Sequence, residues 1–303
     1  MNKWSIDQIP SQIGKVAIVT GANSGIGYEV TLGLVKKNVE VIMACRNMQK
    51  AEEAKAKILY MHPNAKIKVM KLDLSSLMEV NKFADEFKKH YQNLNLLINN
   101  AGIMMCPYKV TEDNFENQIA TNYIGHFALT GLLLPMLTST SGSRLVTLSS
   151  LSYKWSEIQF DDFHANKSYS KSKAYGQSKR ACLMFAFELQ RRLAAAGYDT
   201  LSIAAHPGLS KTNLDQYFPE IIRPLGNLFL QSAEKGALPI LYAALDKDVT
   251  GGEFIGPDGF QQLRGYPTKV EADKYCNNQK VAERLWNESE KMTKISYLNK
   301  NVQ

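Results

Sequence analysis

A short apolar run meets a glycine-rich turn in the sequence Val16-Ala-Ile-Val-Thr20-Gly-Ala-Asn-Ser-Gly-Ile-Gly27. This combination is the strongest indication of the fold. The apolar run predicts a buried strand, and the pattern after the turn predicts a helix over about 24–37. The glycines let the backbone turn tightly, and a helix that begins there points free N–H groups and its positive dipole end at the turn. The residues that we expect to form this anion-binding turn are Gly21, Ser24, Gly25, Ile26 and Gly27.

The same alternation of strand and helix continues along the chain. Further strands are predicted at 39–44, 67–72, 94–98, 144–149 and 201–205, and helices at about 48–60, 76–91, 112–138 and 170–196. Several runs are apolar on consecutive positions, which is typical of strands buried on both faces of a parallel sheet. No linker interrupts the pattern, so we predict a single α/β domain over 1–303, a doubly wound parallel sheet in three layers. Residues 207–232 fit no regular pattern and predict a lid or binding loop.

The composition of the 303 residues, with 45% hydrophobic and 21% charged, excludes a disordered chain and a disulfide scaffold. Lys and Arg exceed Asp and Glu by 36 to 29, a net charge of +7. The longest basic runs are only pairs, which favours a solvated surface over a nucleic-acid footprint. We therefore predict no nucleic-acid partner, and steeply salt-dependent association with DNA or RNA is the observation that would revive that alternative.

The four cysteines, at positions 45, 106, 182 and 276, form no CxxC motif, and no histidine lies beside them at metal-ligand spacing. Free, buried thiols in a reducing compartment are expected, with no metal site. The N-terminus has no apolar signal core, and the most lipid-like stretch, 127–137, is far shorter than the roughly 20 residues of a bilayer span. We predict a cytoplasmic chain with no membrane span.

The end of the second predicted strand, Met43-Ala-Cys-Arg46, indicates which ligand the turn serves. In dinucleotide-binding folds an acid at this position accepts hydrogen bonds from the ribose 2′-hydroxyl. This chain has Arg46 instead, which can pair with a 2′-phosphate. We predict NADP(H) in preference to NAD(H), which remains possible, and a solvated surface arginine is the alternative interpretation.

Two more strand ends are expected at the same edge, because ligands lie at the carboxyl ends of parallel strands. Asp73-Leu74 closes the third strand, and Asn99-Asn-Ala-Gly102 closes the fourth. Asp73 can reach an adenine, and small side chains in the second motif let the backbone approach the cofactor. These motifs add Asp73, Leu74, Asn100, Ala101 and Gly102 to the predicted cofactor site.

Tyr175 and Lys179 are four residues apart in a predicted helix, so they share one face. An ammonium there stabilises the phenolate that a tyrosine leaves behind when it acts as a general acid. Ser150 ends the fifth strand, where its hydroxyl can hold a substrate carbonyl oxygen while Tyr175 protonates it. Ser149 competes for this role, since neighbouring strand residues point to opposite faces. We choose Ser150 because of the resemblance described next.

The order of the glycine-rich turn, Asn99-Asn-Ala-Gly102, Ser150, Tyr175-x-x-x-Lys179 and Pro207-Gly208 resembles the short-chain dehydrogenase/reductase family over about 14–260. The resemblance implies a Rossmann-type sheet of about seven strands and a catalytic Ser–Tyr–Lys set. It leaves a helical extension over 261–303. The longer Ser–Tyr spacing resembles the retinol dehydrogenase and WW-domain oxidoreductase branch, whose membrane-bound members have an N-terminal anchor. This chain shows no such anchor, which speaks against retinol itself as substrate.

The resemblance also assigns individual roles. It implies that Asn122 is a fourth catalytic residue, which bends a helix and holds a water near Lys179. It implies that Lys179 also binds the nicotinamide ribose, that Pro207 and Gly208 belong to the cofactor site, and that Thr212 contacts the carboxamide. Family members often pair through the helices that carry the Asn and the Tyr, which predicts a homodimer or homotetramer.

The substrate side is predicted to be apolar, with no basic cluster to hold a carboxylate or a phosphate. The candidate side chains are Met104, Met105, Tyr153, Trp155, Leu209, Tyr217, Phe218, Ile221, Ile222, Leu225 and Phe229. We therefore predict an oxidoreductase that uses NADP(H) to interconvert a hydrophobic alcohol and its aldehyde or ketone. The alternative is a catalytically silent dinucleotide sensor or scaffold with the same fold.

Overall fold

The computed structural model describes residues 3–210 and 230–298. The strands in these ranges form one eight-stranded sheet. The strands are β1 (Val16–Thr20), β2 (Glu40–Cys45), β3 (Ile67–Lys71), β4 (Leu96–Asn99), β5 (Arg144–Leu148), β6 (Leu201–Ala205), β7 (Phe254–Pro257) and β8 (Pro267–Val270). Their spatial order is β3-β2-β1-β4-β5-β6-β7-β8. The first seven pair in parallel, and β8 pairs antiparallel with β7. The predicted doubly wound sheet is confirmed, with β8 added at its edge in the stretch that we predicted to be a helical extension.

The helices follow the predicted pattern with three differences. They are α1 (Gly25–Lys36), α2 (Met48–Met61), α3 (Leu77–His90), α4 (Asn117–Ile119), α5 (Gly125–Ser139), α6 (Lys171–Ala195), α7 (Ala233–Leu245) and α8 (Gln279–Thr293). The helix expected over 112–138 begins only at Asn117, and a π-helical turn, Ala120–Ile124, separates α4 from α5. The sequence analysis did not predict α7, in which Pro239 stands inside the helix.

Alternating side chains of β1 show how the sheet is covered on both faces. Ile18 belongs to the apolar layer that contains residues of α3, α5, α6 and α8, whereas Ala17 and Val19 belong to the layer that contains residues of α1, α2 and α7. All three are fully buried. Burial of one large aliphatic side chain contributes about 1.5–3 kcal/mol, so the two apolar layers stabilise the sheet from both sides. The result is the three-layer arrangement that the apolar runs predicted.

The order of the strands positions the site. The chain runs outward from β1 through β2 to β3 and then returns to place β4 on the other side of β1. The helices that follow β1 and β4 therefore leave on opposite faces, and a crevice opens between the carboxyl ends of these two strands. Within residues 3–210 and 230–298, no helix has both the length and the apolar character needed to cross a membrane.

Candidate active site

A cavity of about 800 Å³ lies at the carboxyl ends of the strands, where the sequence placed the site. Its walls include every described residue that we predicted to bind the cofactor, namely Gly21, Ser24, Gly25, Ile26, Gly27, Arg46, Asp73, Leu74, Asn100, Ala101, Gly102, Tyr175, Lys179, Pro207 and Gly208. Ser150 also lines it, but Asn122 does not. Thr212 lies outside the described residues, so its predicted contact stays a prediction.

The glycine-rich turn fits a pyrophosphate. Gly21 and Gly25 have positive φ angles of 66° and 54°, which side chains rarely tolerate. The Ser24 side chain makes no capping hydrogen bond, so the first N–H groups of α1 remain available to an anion. A Cβ on Gly27 would lie 2.5 Å from the Asn100 amide nitrogen, so only glycine lets α1 pack this close to the end of β4. The turn thus provides both the donors and the room that a dinucleotide phosphate needs.

The hydroxyl of Thr20 joins this turn to the motif at the end of β4. The backbone N–H groups of Asn100 and Ala101 both donate to Thr20 Oγ1, at 2.9 Å each. The Asn100 side-chain amide donates to the carbonyl of Thr20 at 2.7 Å. Two walls of the crevice are therefore held at a fixed separation. The sequence analysis gave this hydroxyl no role, because its partners lie 80 residues along the chain.

One end of the cavity carries the side chains expected near the adenosine. Arg46 is exposed at the end of β2, and the side chain of Asn47 caps α2 by accepting from Lys50 N. Lys50 lines the same end of the cavity. Asp73 closes β3 and accepts hydrogen bonds from the N–H and the hydroxyl of Ser75, at 3.0 and 2.6 Å. This end therefore combines two cations, a helix N-terminus and one carboxylate.

The π-helical turn before α5 brings Asn122 behind the cavity wall. Its side-chain oxygen accepts from Ile103 N at 2.8 Å, and its amide nitrogen donates to Ile103 O at 2.9 Å and to Ser178 Oγ at 2.9 Å. The side chain thus holds the backbone that follows Gly102. A Cβ on Gly102 would lie 3.2 Å from Asn122 Oδ1 and 3.4 Å from Lys179 Nζ, so the three residues meet at one point.

His126 connects this turn to Thr20. Burial lowers the pKa of His126 to about 4, so its ring is neutral at ordinary pH. Its Nδ1 lies 2.9 Å from the carbonyl of Asn122, and its Nε2 lies 2.9 Å from Thr20 Oγ1. A carbonyl can only accept, so Nδ1 carries the proton and Nε2 accepts from the threonine hydroxyl. These contacts give the histidine a structural role between Thr20 and the π-helical turn.

The two candidate serines differ in their surroundings. Ser149 is buried, and its hydroxyl donates to the carbonyl of Lys179 at 2.8 Å. Ser150 is partly exposed to the cavity, and its hydroxyl caps the 3₁₀ turn Leu151–Trp155 by accepting from Ser152 N at 3.2 Å. Both serines line the cavity, but only Ser150 is partly exposed, and its hydroxyl donates to Ser152 Oγ at 3.2 Å.

Tyr175 and Lys179 lie on one face of α6, as predicted, and both line the cavity. The ammonium of Lys179 is 6.0 Å from the centre of the Tyr175 ring and donates to the carbonyl of Leu148 at 3.2 Å. Tyr175 is only 5% exposed, and that remaining surface belongs to the cavity wall. The arrangement can hold a proton donor, a cation and a hydroxyl at the same wall.

Comparison with known proteins agrees with this geometry. A family model described as short chain dehydrogenase matches residues 15–221, well over half of the chain. The chain belongs to the short-chain dehydrogenase family. Membership makes it an oxidoreductase that uses a nicotinamide dinucleotide.

The relatives of this short-chain dehydrogenase include Retinol dehydrogenase 12 of Mus musculus, 38% identical over 284 residues, covering 93% of this chain and 86% of the relative. Retinol dehydrogenase 13 of Homo sapiens is 38% identical over 291 residues, covering 92% of this chain and 84% of the relative. The predicted resemblance to the retinol dehydrogenase branch is confirmed.

Solved structures agree on the fold. The crystal structure of an uncharacterized protein from Mycobacterium Paratuberculosis superposes with a TM-score of 0.83 at 38% sequence identity. The match covers 98% of this chain and 100% of the other. The RhlG/NADP active-site complex of Pseudomonas aeruginosa is 20% identical with a TM-score of 0.67, covering 84% and 98%. At that identity the second likeness shows the fold alone.

The apolar side chains expected around the substrate divide into three groups. Met104, Trp155 and Leu209 line the cavity, whereas Met105 does not. Tyr153 is instead buried against Phe254, so it belongs to the core. The remaining candidates after position 210, from Tyr217 to Phe229, lie outside the described residues. The Trp155 ring lies 6.2 Å from that of Tyr175, which makes this wall of the short-chain dehydrogenase site aromatic.

Proposed function

We propose that this short-chain dehydrogenase uses NADP(H) to interconvert a hydrophobic alcohol and its aldehyde or ketone. One observation carries the proposal: Ser150, Tyr175 and Lys179 share a cavity with a glycine-rich turn whose helix N-terminus is uncapped. A nicotinamide dinucleotide supplies or accepts the hydride when bound. Gly21, Gly25 and the first N–H groups of α1 would hold its phosphates.

The chain itself would manage the proton. In the reductive direction the hydroxyl of Ser150 donates to the carbonyl oxygen of the substrate, and Tyr175 gives that oxygen its proton. The ammonium of Lys179 on the same helix face stabilises the phenolate that remains. Asn122 supports this wall through its hydrogen bonds to the backbone of Ile103. In the oxidative direction each of these steps is reversed.

The preference for NADP(H) is supported by the end of β2. Arg46 and Lys50 line the cavity there, and neither forms an ion pair within the described part of the chain. A 2′-phosphate would pair with Arg46 and lie near the N-terminus of α2.

The substrate class is supported by Met104, Trp155 and Leu209 in the cavity wall. The relatives named as retinol dehydrogenases make retinaldehyde one member of that class to be tested. A thioether side chain adapts its shape to different ligands, which favours a permissive range of carbonyl compounds.

The experiment follows NADPH oxidation at 340 nm with octanal, decanal, benzaldehyde and retinaldehyde. Wild type turns over at least one of them, and Tyr175→Phe lowers kcat by about 10²–10⁴-fold, because the general acid is lost. Tyr91→Phe is the matched control, since it removes a hydroxyl that binds Glu40 outside the cavity. Equal kcat in Tyr175→Phe and wild type would refute the assigned acid.

A catalytically silent sensor with this fold predicts a different result. It would bind NADPH, seen as quenching of tryptophan fluorescence. It would reduce none of the carbonyl compounds and oxidise none of the corresponding alcohols. That outcome would replace the enzymatic proposal.

A further inference from the structure

Arg180, the residue directly after Lys179, is a buried cation that the proposed reaction does not use. It is 3% exposed. Its guanidinium lies between the rings of Tyr153 and Tyr275, at 5.3 and 4.9 Å from their centres. A charge at such a site is costly unless it is paired and its donors are satisfied. The hydrogen-bond partners of Arg180 therefore indicate which part of the structure the buried charge holds in place.

One side of the guanidinium holds the 3₁₀ turn that follows β5. Arg180 Nε donates to the carbonyl of Tyr153 at 3.0 Å and to that of Ser156 at 2.7 Å. The turn Leu151–Trp155 begins at its cap, Ser150. The same arginine therefore holds the segment between the predicted catalytic serine and Trp155.

The other side of the guanidinium holds the segment after β8. Arg180 Nη1 donates to Asp273 Oδ1 at 2.9 Å and to Cys276 Sγ at 3.3 Å. Burial raises the pKa of the Cys276 thiol to about 12, so the thiol is neutral and the carboxylate is the charged partner. Partial burial alone would raise the pKa of Asp273, but the hydrogen bonds from Arg180 and Cys276 together with the charge of Arg180 lower it. The hydroxyl of Tyr275 also accepts from Ile158 N, at 3.2 Å, just beyond the turn.

The turn has little freedom on its remaining side. A Cβ on Gly176 would lie 2.8 Å from Trp155 Cβ and 2.9 Å from the carbonyl of Ser152, so α6 and the turn are packed at backbone distance. A shift of the turn would therefore move Ser150 and Trp155 relative to Tyr175.

We propose that Arg180 is a positioning residue, which together with Asp273 and Tyr275 fixes the Ser150–Trp155 turn against Tyr175. The segment 273–276, which follows β8, thereby becomes part of the active-site support. This inference rests on the proposed function of Ser150 and Tyr175, and it concerns positioning rather than contact with substrate.

The test compares Asp273→Asn with Glu188→Gln. The first leaves the cation of Arg180 without its carboxylate and preserves the side-chain shape. The second removes a buried carboxylate that binds Arg191 and Arg192 on the same helix α6, far from the turn, and serves as the matched control.

Asp273→Asn lowers kcat for decanal about tenfold to a hundredfold, because small misplacements of catalytic groups have effects of that order. The dissociation constant of the Asp273→Asn variant for NADPH stays within about twofold of the wild-type value, because the substitution leaves the glycine-rich turn and Arg46 unchanged. Glu188→Gln keeps kcat within about twofold of the wild-type value, although the midpoint of thermal unfolding falls in both variants. Assays well below both midpoints separate positioning from unfolding.

A second readout requires no activity. Lys154 is exposed within the turn, so release of the turn speeds tryptic cleavage after this residue. Cleavage there becomes about tenfold faster in Asp273→Asn and is unchanged in Glu188→Gln. Equal cleavage rates and equal losses of kcat in the two variants would overturn the proposal. A wild type that turns over no carbonyl compound would refute the proposed function and leave the cleavage comparison as the test of positioning.

Discussion

The proposed preference for NADP(H) depends on one residue, Arg46. The sequence placed it at the end of β2, and the structure gives it an exposed position on the cavity wall beside the N-terminus of α2. A charge-assisted hydrogen bond contributes about 1.5–3 kcal/mol, enough to set a preference of ten- to a hundredfold. An acid at the same place accepts from a ribose hydroxyl and repels a phosphate.

Arg46→Asp should therefore lower kcat/KM for NADPH about a hundredfold and raise it for NADH, measured with the same carbonyl substrate. Lys57→Asp makes the same change of charge on the exposed face of α2 and should leave both values unchanged. Cofactor preference that is identical in Arg46→Asp and wild type would show that Arg46 is only a solvated surface residue.

At the scale of elements, α5 lies close to the end of β3 directly after the π-helical turn. Gly125 begins α5, and a Cβ there would lie 2.9 Å from Leu74 Cβ and 3.0 Å from the Leu74 carbonyl carbon. A glycine thus brings the helix against the end of β3, where Asp73 and Leu74 line the cavity. The sequence predicted one helix through this region because a π-helical turn has no distinct apolar period.

Gly125→Ala should lower the free energy of unfolding by about 1–3 kcal/mol, since the added methyl group pushes α5 away from Leu74. KM for the cofactor should rise, because Leu74 and Asn122 move together with the helix. Urea unfolding and steady-state kinetics measure the two effects. Ser139→Ala, at the exposed end of α5, is the control, and an equally small effect of both substitutions would contradict the close approach.

For the whole molecule, the C-terminal helix covers the face on which the resemblance places a subunit contact. Trp286 of α8 packs against Phe127 of α5 and Phe185 of α6, with ring centres 5.3 and 5.8 Å apart. Tyr123 and Ser289 share a hydrogen bond of 2.7 Å across the same contact. The five residues 126–130 are all buried within this one chain.

We therefore expect a monomer in sedimentation velocity, because a partner could use this face only after α8 had left it. A wild type that sediments as the homodimer or homotetramer predicted from the resemblance would contradict this expectation. Trp286→Ala should lower the free energy of unfolding by about 3–5 kcal/mol, whereas Glu288→Ala, at a side chain that is 44% exposed, should change it little.

The division of the chain into a core over 14–260 and an extension over 261–303 also stays a prediction. One sheet runs from Val16 to Val270, which favours the single domain that we predicted. The extension supplies β8 and α8, and its segment 273–276 reaches α6 beside Lys179. It is thus attached to the core through both the sheet and the buried arginine.

Local sequence patterns were enough to predict β1 to β6, most helix boundaries, the glycine-rich turn and the residues at the strand ends. These features depend on apolar periodicity and on spacings of a few residues, which are local properties of the chain. Once parallel strands form, their carboxyl ends must share one edge, so residues from Gly21 to Gly208 meet without further information.

The buried polar groups that connect these parts became visible only in the packed structure. Thr20 meets His126 across 106 residues, and Arg180 meets Asp273 across 93. No local pattern marks such pairs, because a buried polar group is satisfied by whichever partner the packed elements bring near it. For the same reason no sequence pattern distinguishes Arg180, although it follows the predicted catalytic Lys179. Its contacts form only when the turn after β5, α6 and the C-terminal segment pack together.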